Sequence, residues 1–278
     1  MTERIIVSLT TWSKRIGNLP TVLDTILAQT QRPDLIVVNL AYDEIIPDAI
    51  QTYFNTNNIE VFRVADTKVY KKIIPTLKRY PSDVVINIDD DWLYPTGMIA
   101  DFMKVHTEHP NNPISGNGLV YSKMICHCGC ASLTKAEYFG QYLDSFDDNL
   151  IKNCHSSDIV YTYFATKAGH PYIHTKEQYF TNMQPFNEGE SYSVESKQNN
   201  SLSKSLSYLI DNFGDPPRFP DSYISDQFIS DIIYHIHQAD RNDVKKEAQS
   251  QIRNTFAYKT GKKIILPLSF IRRIITKH

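Results

Sequence analysis

Apolar positions in the first hundred residues fall into short, β-branched runs separated by stretches of helical spacing. The runs are residues 5–9, 35–40, 60–64 and Val84–Ile88. The fourth is nearly continuous, which predicts a strand buried on both faces, and the others read as a first strand, a second apolar strand and a shorter third. Between the first two, Leu19, Val22, Leu23, Ile26 and Leu27 repeat at helical spacing, with Pro20 tolerable in a first turn. After the third comes a polar, basic stretch, Asp66-Thr67-Lys68-Val69-Tyr70-Lys71-Lys72. It leads into residues 73–80, where Pro75 argues against a regular helical start. A helix from about Thr96 to His106 carries Met98, Ile99, Phe102 and Met103 inward. This alternation predicts an α/β chain with a mostly parallel, doubly wound central sheet and flanking helices.

The fourth run ends in Asp89-Asp90-Asp91, and Trp92-Leu93-Tyr94-Pro95 follows, with Pro95 closing a turn. Adjacent carboxylates at the end of a buried strand repel one another and lose solvation. A hard divalent cation, Mg²⁺ or Mn²⁺, resolves that conflict by taking carboxylate oxygens and bridging them to a phosphorylated ligand. In open α/β sheets ligands collect at the carboxyl ends of strands, where this triplet lies. A solvated turn is the plainer reading of an aspartate triplet; the strand before it and the turn after it favour a metal and diphosphate site. No glycine-rich phosphate loop follows the first strand, neither a dinucleotide fingerprint nor a Walker sequence. A metal is therefore expected to hold the diphosphate.

The middle of the chain is less regular. Residues 118–125 read as a strand, Cys126-His127-Cys128-Gly129-Cys130-Ala131 as a small-residue segment, and residues 134–143 as a helix. A further helix, Ser157–Lys167, turns Ile159, Val160, Tyr163 and Phe164 inward, with Ser156 or Ser157 as its cap and Gly169 as its stop. Asp158 lies in its first turn. Residues 182–200 are polar and read as a long loop that orders with ligand. Helices are expected over 202–211 and about 222–238. The chain thus divides into residues 1–215, a nucleotide-binding and catalytic domain, and residues 216–278, helices and a basic tail.

That tail, residues 258–278, interleaves Lys259, Lys262, Lys263, Arg272, Arg273 and Lys277 with apolar residues and has no acidic one. It has two readings: peripheral contact with an anionic inner-membrane surface, or packing on the catalytic domain or a partner with its lysines solvated. Pro267 interrupts a single amphipathic helix, and the membrane reading is only slightly preferred. A hydrophobic share of 41% and a charged share of 22% belong to a soluble globular chain. A net charge of −2 speaks against nucleic acid as a partner. No signal peptide and no membrane-length apolar segment is visible, so a cytoplasmic protein with reduced cysteines is expected. Cys126, Cys128 and Cys130 lack zinc-type pair spacing, and buried thiols are the default. Core or surface roles are expected for His235 and His237, and for His170 and His174, the last weighed as a third metal ligand. Trp12 and Trp92 are candidates for stacking on a base or sugar ring, with core packing equally open.

Three segments in this order, Val7-Ser8-Leu9-Thr10-Thr11-Trp12-Ser13-Lys14-Arg15-Ile16, Asp66 to Pro75, and Ile88 to Pro95, resemble glycosyltransferases of the GT-A fold, family 2-like. In particular they are similar to a bacterial group acting in capsule, O-antigen or other surface polysaccharide assembly. The resemblance implies a GT-A domain followed by a helical C-terminal region. It implies that Thr10, Thr11, Trp12 and Arg15 line the nucleotide, and that Asp66 with Lys68 or Lys72 approaches base, ribose or phosphates. Asp89 and Asp91 would be the ends of an Asp-x-Asp motif holding Mn²⁺ or Mg²⁺, with Asp90 beside them at the sugar diphosphate. The expected reaction is inverting transfer of a hexose or N-acetylhexosamine from a nucleotide sugar, UDP-linked, to a glycan or lipid-linked glycan acceptor. In the later half, Cys128-Gly129-Cys130-Ala131 stands for the family's glycine-rich strand and Ser157-Asp158 for its acidic pair, with serine in the first acidic position. Asp158 is then the candidate base, and Asp144, Asp147 and Asp148 the next to test. Two rivals stay open: a nucleotidyltransferase acting on sugar phosphates, which would usually carry a glycine-rich basic loop after the first strand, and a non-catalytic glycan-binding relative.

Overall fold

The computed structural model describes residues 3–116, 118–121, 124–127, 130–174, 184–185 and 201–215. The strands are β1 (Ile5–Thr10), β2 (Leu35–Ala41), β3 (Ile59–Val64), β4 (Val84–Ile88), β5 (Trp92–Leu93), β6 (Ile114–Ser115), β7 (Gly118–Tyr121), β8 (Met124–His127), β9 (Ala131–Thr134), β10 (Ile173–His174) and β11 (Gln184–Pro185). The helices are α1 (Leu19–Leu27), α2 (Asp48–Thr56), α3 (Ile74–Arg79), α4 (Met98–Glu108), α5 (Asp148–Asn153), α6 (Ser157–Lys167) and α7 (Ser201–Phe213). The expected helix over 222–238, the tail, the side chains of Cys126, Cys128 and His174, and all of the 182–200 stretch except Gln184 and Pro185 lie outside what is described.

The β-branched runs become the centre of a sheet ordered β10-β6-β9-β4-β1-β2-β3. β1 pairs in parallel with β2 on one side and β4 on the other, and β2 continues in parallel to β3. β9 runs antiparallel to both β4 and β6, and β10 is parallel to β6. All of β4 is buried, as are Ile5 to Leu9 of β1, which accounts for continuous apolar runs in place of alternation. The result is a mixed α/β, Rossmann-like arrangement with a mostly parallel sheet and flanking helices. These elements, apart from most of β7 and β8, belong to one compact unit, Met1–Gly118 with Cys126–Asp215. Among the described residues, no helix is long and apolar enough to cross a membrane.

Three local expectations need correction. The single strand over 118–125 is two, β7 and β8, paired with each other. The helix expected from Thr134 is instead the end of β9 followed by 3-10 turns over Ala136–Ser145, broken at Gly140, where φ is +50°. Pro75 does not spoil a helical start: it occupies the first turn of α3, where a missing N–H leaves no bond unmade.

A fully buried aromatic cluster carries the middle of the chain. Tyr70, Phe139, Phe146, Tyr161 and Phe164 pack with centroids 5.3 to 6.1 Å apart, mostly edge to face. Tyr70 also donates from Oη to the Cys154 carbonyl at 2.9 Å. This ties the 3-10 segment Lys68–Lys72 to the residues just before α6. From α7, the Ser205 hydroxyl accepts the amide protons of His155 and Ser156, at 3.1 and 3.2 Å. Those bonds fix the entry to α6 and so the place of Asp158.

Candidate functional site

The aspartate triplet leaves β4 at its carboxyl end, and Pro95 turns the chain back toward α4. Tyr94 pins the turn: its buried Oη accepts the Asp89 amide proton at 2.8 Å and reaches the Cys130 carbonyl at 2.8 Å. The loop after β1 supplies a second brace. Thr11 Oγ1 donates to Asp90 Oδ2 at 2.6 Å, and Arg15 Nη1 donates to Asp90 Oδ1 at 2.7 Å and to Asp91 Oδ2 at 3.1 Å. Both oxygens of Asp90 are thereby engaged and its side chain is only 9% exposed. The 3-10 segment contributes Lys72, a buried side chain whose Nζ donates to Asp89 Oδ1 at 2.8 Å.

Electrostatics join a further residue to this group. Burial by itself would push the Lys72 ammonium down, but the carboxylates of Asp89 and then Asp158 outweigh it and hold its pKa up at about 12. The negative charge of Asp158, from the first turn of α6, thus acts on the same ammonium that Asp89 binds directly. Asp91 responds in the opposite sense. Burial first, then the charges of Asp89 and Asp90, raise its carboxyl to about 6 against the help of Arg15. Burial likewise raises Asp90, opposed by Thr11 and Arg15.

The other expected residues divide into those at this site and those beside it. Thr10 donates from Oγ1 to the Asn39 carbonyl at 2.7 Å, bracing β1 to β2. Trp12 is 36% exposed, with the Lys14 ammonium 5.0 Å from its ring centroid. Asp66 pairs with Lys68 and with Lys71, the latter at 2.5 Å, and together they bring its pKa down to about 2 against the effect of burial. In this basic run Lys71 and Lys72 are buried and Lys68 is exposed. Of the reserve bases, Asp144 pairs at the surface with Lys78 at 3.1 Å, and Asp147 accepts the Leu150 amide proton at 2.8 Å as the cap of α5. Asp148 is exposed in the first turn of α5.

Tyr94, and Arg15 as a clamp on carboxylates, were not anticipated. The signal for Tyr94 is present: an aromatic hydroxyl five residues beyond Asp89, after a turn that reverses the chain.

If a hard divalent cation binds here, Asp89 and Asp91 are the residues that would hold it. Asp89 and Asp91 offer carboxylate oxygens at the end of a strand, and Lys72 and Arg15 face three aspartates plus Asp158. Among the described residues no group of three or more His, Cys, Asp or Glu is arranged to hold a metal. A Mg²⁺-type ion held by one or two carboxylates and completed by ligand phosphates and water needs no third.

No family model matches the chain, and no curated protein does. Among solved structures, the chain is similar to a crystal structure of 4-diphosphocytidyl-2C-methyl-D-erythritol synthase, with 13% identity and a TM-score of 0.44 over 70% of this chain and 98% of that one.

Proposed function

We propose that this chain is a GT-A type glycosyltransferase that depends on Mn²⁺ or Mg²⁺. It moves a hexose or N-acetylhexosamine from a nucleotide sugar, UDP-linked, to a hydroxyl of a surface-glycan acceptor. The observation that carries the reading is Lys72, whose ammonium binds Asp89 at the end of β4 and also feels the charge of Asp158 in the first turn of α6. One carboxylate belongs to the segment suited to a diphosphate, the other to a separate helix, as donor and acceptor sides require.

In this reading Asp89 and Asp91 hold the cation, which when bound supplies positive charge to the departing diphosphate. Asp158 accepts the proton of the acceptor hydroxyl as that oxygen forms its bond to the anomeric carbon. The bond from that carbon to the diphosphate oxygen breaks, its electron pair leaving with the nucleoside diphosphate. Lys72 and Arg15 keep the carboxylates in place and add cationic charge where the leaving group gains negative charge. Trp12, at the exposed edge of the β1 loop, suits contact with the nucleotide.

A second reading is nucleotidyl transfer to a sugar phosphate. It is favoured by the two cations, Lys72 and Arg15, already fixed beside the carboxylates, which would suit a triphosphate. It lacks a glycine-rich basic loop after β1, where Thr10-Thr11-Trp12-Ser13 stands.

The products distinguish the two. The protein is incubated with Mn²⁺ and a panel of nucleotide sugars with glycan acceptors, and separately with nucleoside triphosphates and sugar 1-phosphates. Nucleoside diphosphate release in the first assay supports glycosyl transfer. Pyrophosphate release in the second supports the alternative, and neither product contradicts both.

A further inference from the structure

Polar residues cross the face of the sheet that underlies the site. Ser8 and Asn39 are fully buried, on β1 and β2, and Thr76, fully buried on α3, packs against them. In a sheet interior of otherwise continuous aliphatic runs most such groups are hydrogen-bonded, and here both hydroxyls and Asn39 Nδ2 are, while Asn39 Oδ1 has no partner.

Their bonds run in one determinable direction. Ser8 Oγ donates to the Lys72 carbonyl at 2.6 Å. A hydroxyl has one proton, so its 2.7 Å contact with Thr76 Oγ1 must be donated by Thr76. The Asn39 amide then has to present Nδ2, which donates to Ser8 Oγ at 3.1 Å and to Thr76 Oγ1 at 3.0 Å. The opposite orientation of that amide would set its oxygen against a Ser8 oxygen whose proton is already committed. The chain of bonds ends on the main chain of the residue whose Nζ reaches Asp89 at 2.8 Å.

We infer that Asn39, Ser8 and Thr76 form a positioning unit for Lys72, holding the ammonium on Asp89 from beneath the sheet without touching a ligand. Its consequence for ligand affinity rests on the reading of the site as one for a nucleoside diphosphate. Lys72 sits at the end of a 3-10 segment with no regular helix of its own to set its backbone. The three buried side chains supply that constraint, and the lysine in turn fixes which way the Asp89 carboxylate faces.

Two measurements on Thr76→Val, Ser8→Ala and the conservative Thr76→Ser test the inference. The first is brief acetylation by acetic anhydride, read by mass spectrometry, with half-exposed Lys78 as the internal standard. Wild-type Lys72 should react at least ten-fold more slowly than Lys78. Thr76→Val and Ser8→Ala should each raise its rate several-fold while the thermal transition stays cooperative, and Thr76→Ser should restore protection. The second is calorimetric binding of UDP with Mn²⁺, which should weaken about three- to ten-fold in Thr76→Val and Ser8→Ala and recover in Thr76→Ser. Lys72 as reactive as Lys78 in the wild type, or unchanged by both variants, overturns the positioning unit. Wild-type protein that protects Lys72 but binds no UDP leaves the unit standing and counts against the nucleotide reading.

Discussion

The phenol oxygen of Tyr94 lies 2.8 Å from the amide nitrogen of Asp89 and accepts its proton. The same oxygen is 2.8 Å from the Cys130 carbonyl, so one buried hydroxyl joins the aspartate turn to the start of the reversed strand β9. Tyr94→Phe removes that hydroxyl and both of these bonds. A typical intramolecular hydrogen bond contributes about 0.5–1.5 kcal/mol. The variant should lose roughly 2 kcal/mol in urea unfolding at an unchanged m-value, and should bind nucleotide more weakly.

Arg15 holds Asp90 and Asp91 with one nitrogen, Nη1, and its side chain is 11% exposed. Arg15→Gln leaves the deeply buried Asp90 carboxylate without its cation. Breaking a buried pair from one side costs about 3–5 kcal/mol, and the Thr11 hydroxyl that stays on Asp90 puts the expected loss near the lower end. Arg15→Lys should recover only part of it, because an ammonium is more strongly hydrated than a guanidinium and costs more to bury. Chemical denaturation of the three proteins checks the order.

Asp91 gives the cation-free protein a distinct pH dependence. Its folded pKa, about 6, lies above the ordinary carboxyl value of 3.8. Between those two values the folded chain binds a proton that the unfolded chain has released. The contribution of Asp91 is therefore most favourable below about pH 4 and is lost as pH rises through 6. Asp91→Asn should remove this descending segment from the stability profile measured by denaturation in EDTA between pH 4 and 7.

Asp158 is assigned to the acceptor side, so its removal should separate turnover from binding. Asp158→Asn should lower turnover about 10²- to 10⁴-fold, the usual contribution of a general base. The dissociation constant for the nucleotide should stay within a few-fold of wild type. Equal losses in both would place Asp158 at the donor instead.

Much of the fold was readable because burial on both faces writes strands as nearly continuous apolar runs, as in β1, β2 and β4. Amphipathic spacing likewise marked α1 and α4. α2 escaped notice because it buries only Ile50 and Phe54, too few positions to establish a period. β9 escaped because Ser132 and Thr134 make its four residues look like a loop, while its strand character comes from pairing with β4. At the site, the aspartates announced themselves through charge at the end of an apolar strand. Two partners of those charges did not: Arg15 and Lys72 meet them through tertiary packing, whereas Tyr94 braces the turn from five residues on. Local pattern could suggest the sign of the ligand but not the braces that hold the turn.

The most direct test of the central claim is calorimetric titration of UDP, GDP and CMP, each with Mn²⁺ and with EDTA, on wild type and Asp91→Ala. Binding of one nucleotide that requires Mn²⁺ and is lost in Asp91→Ala, in a variant that still unfolds cooperatively, is the predicted result. No nucleotide bound by the wild type in either condition, or binding indifferent to both EDTA and the substitution, would contradict a metal and diphosphate site at Asp89 and Asp91.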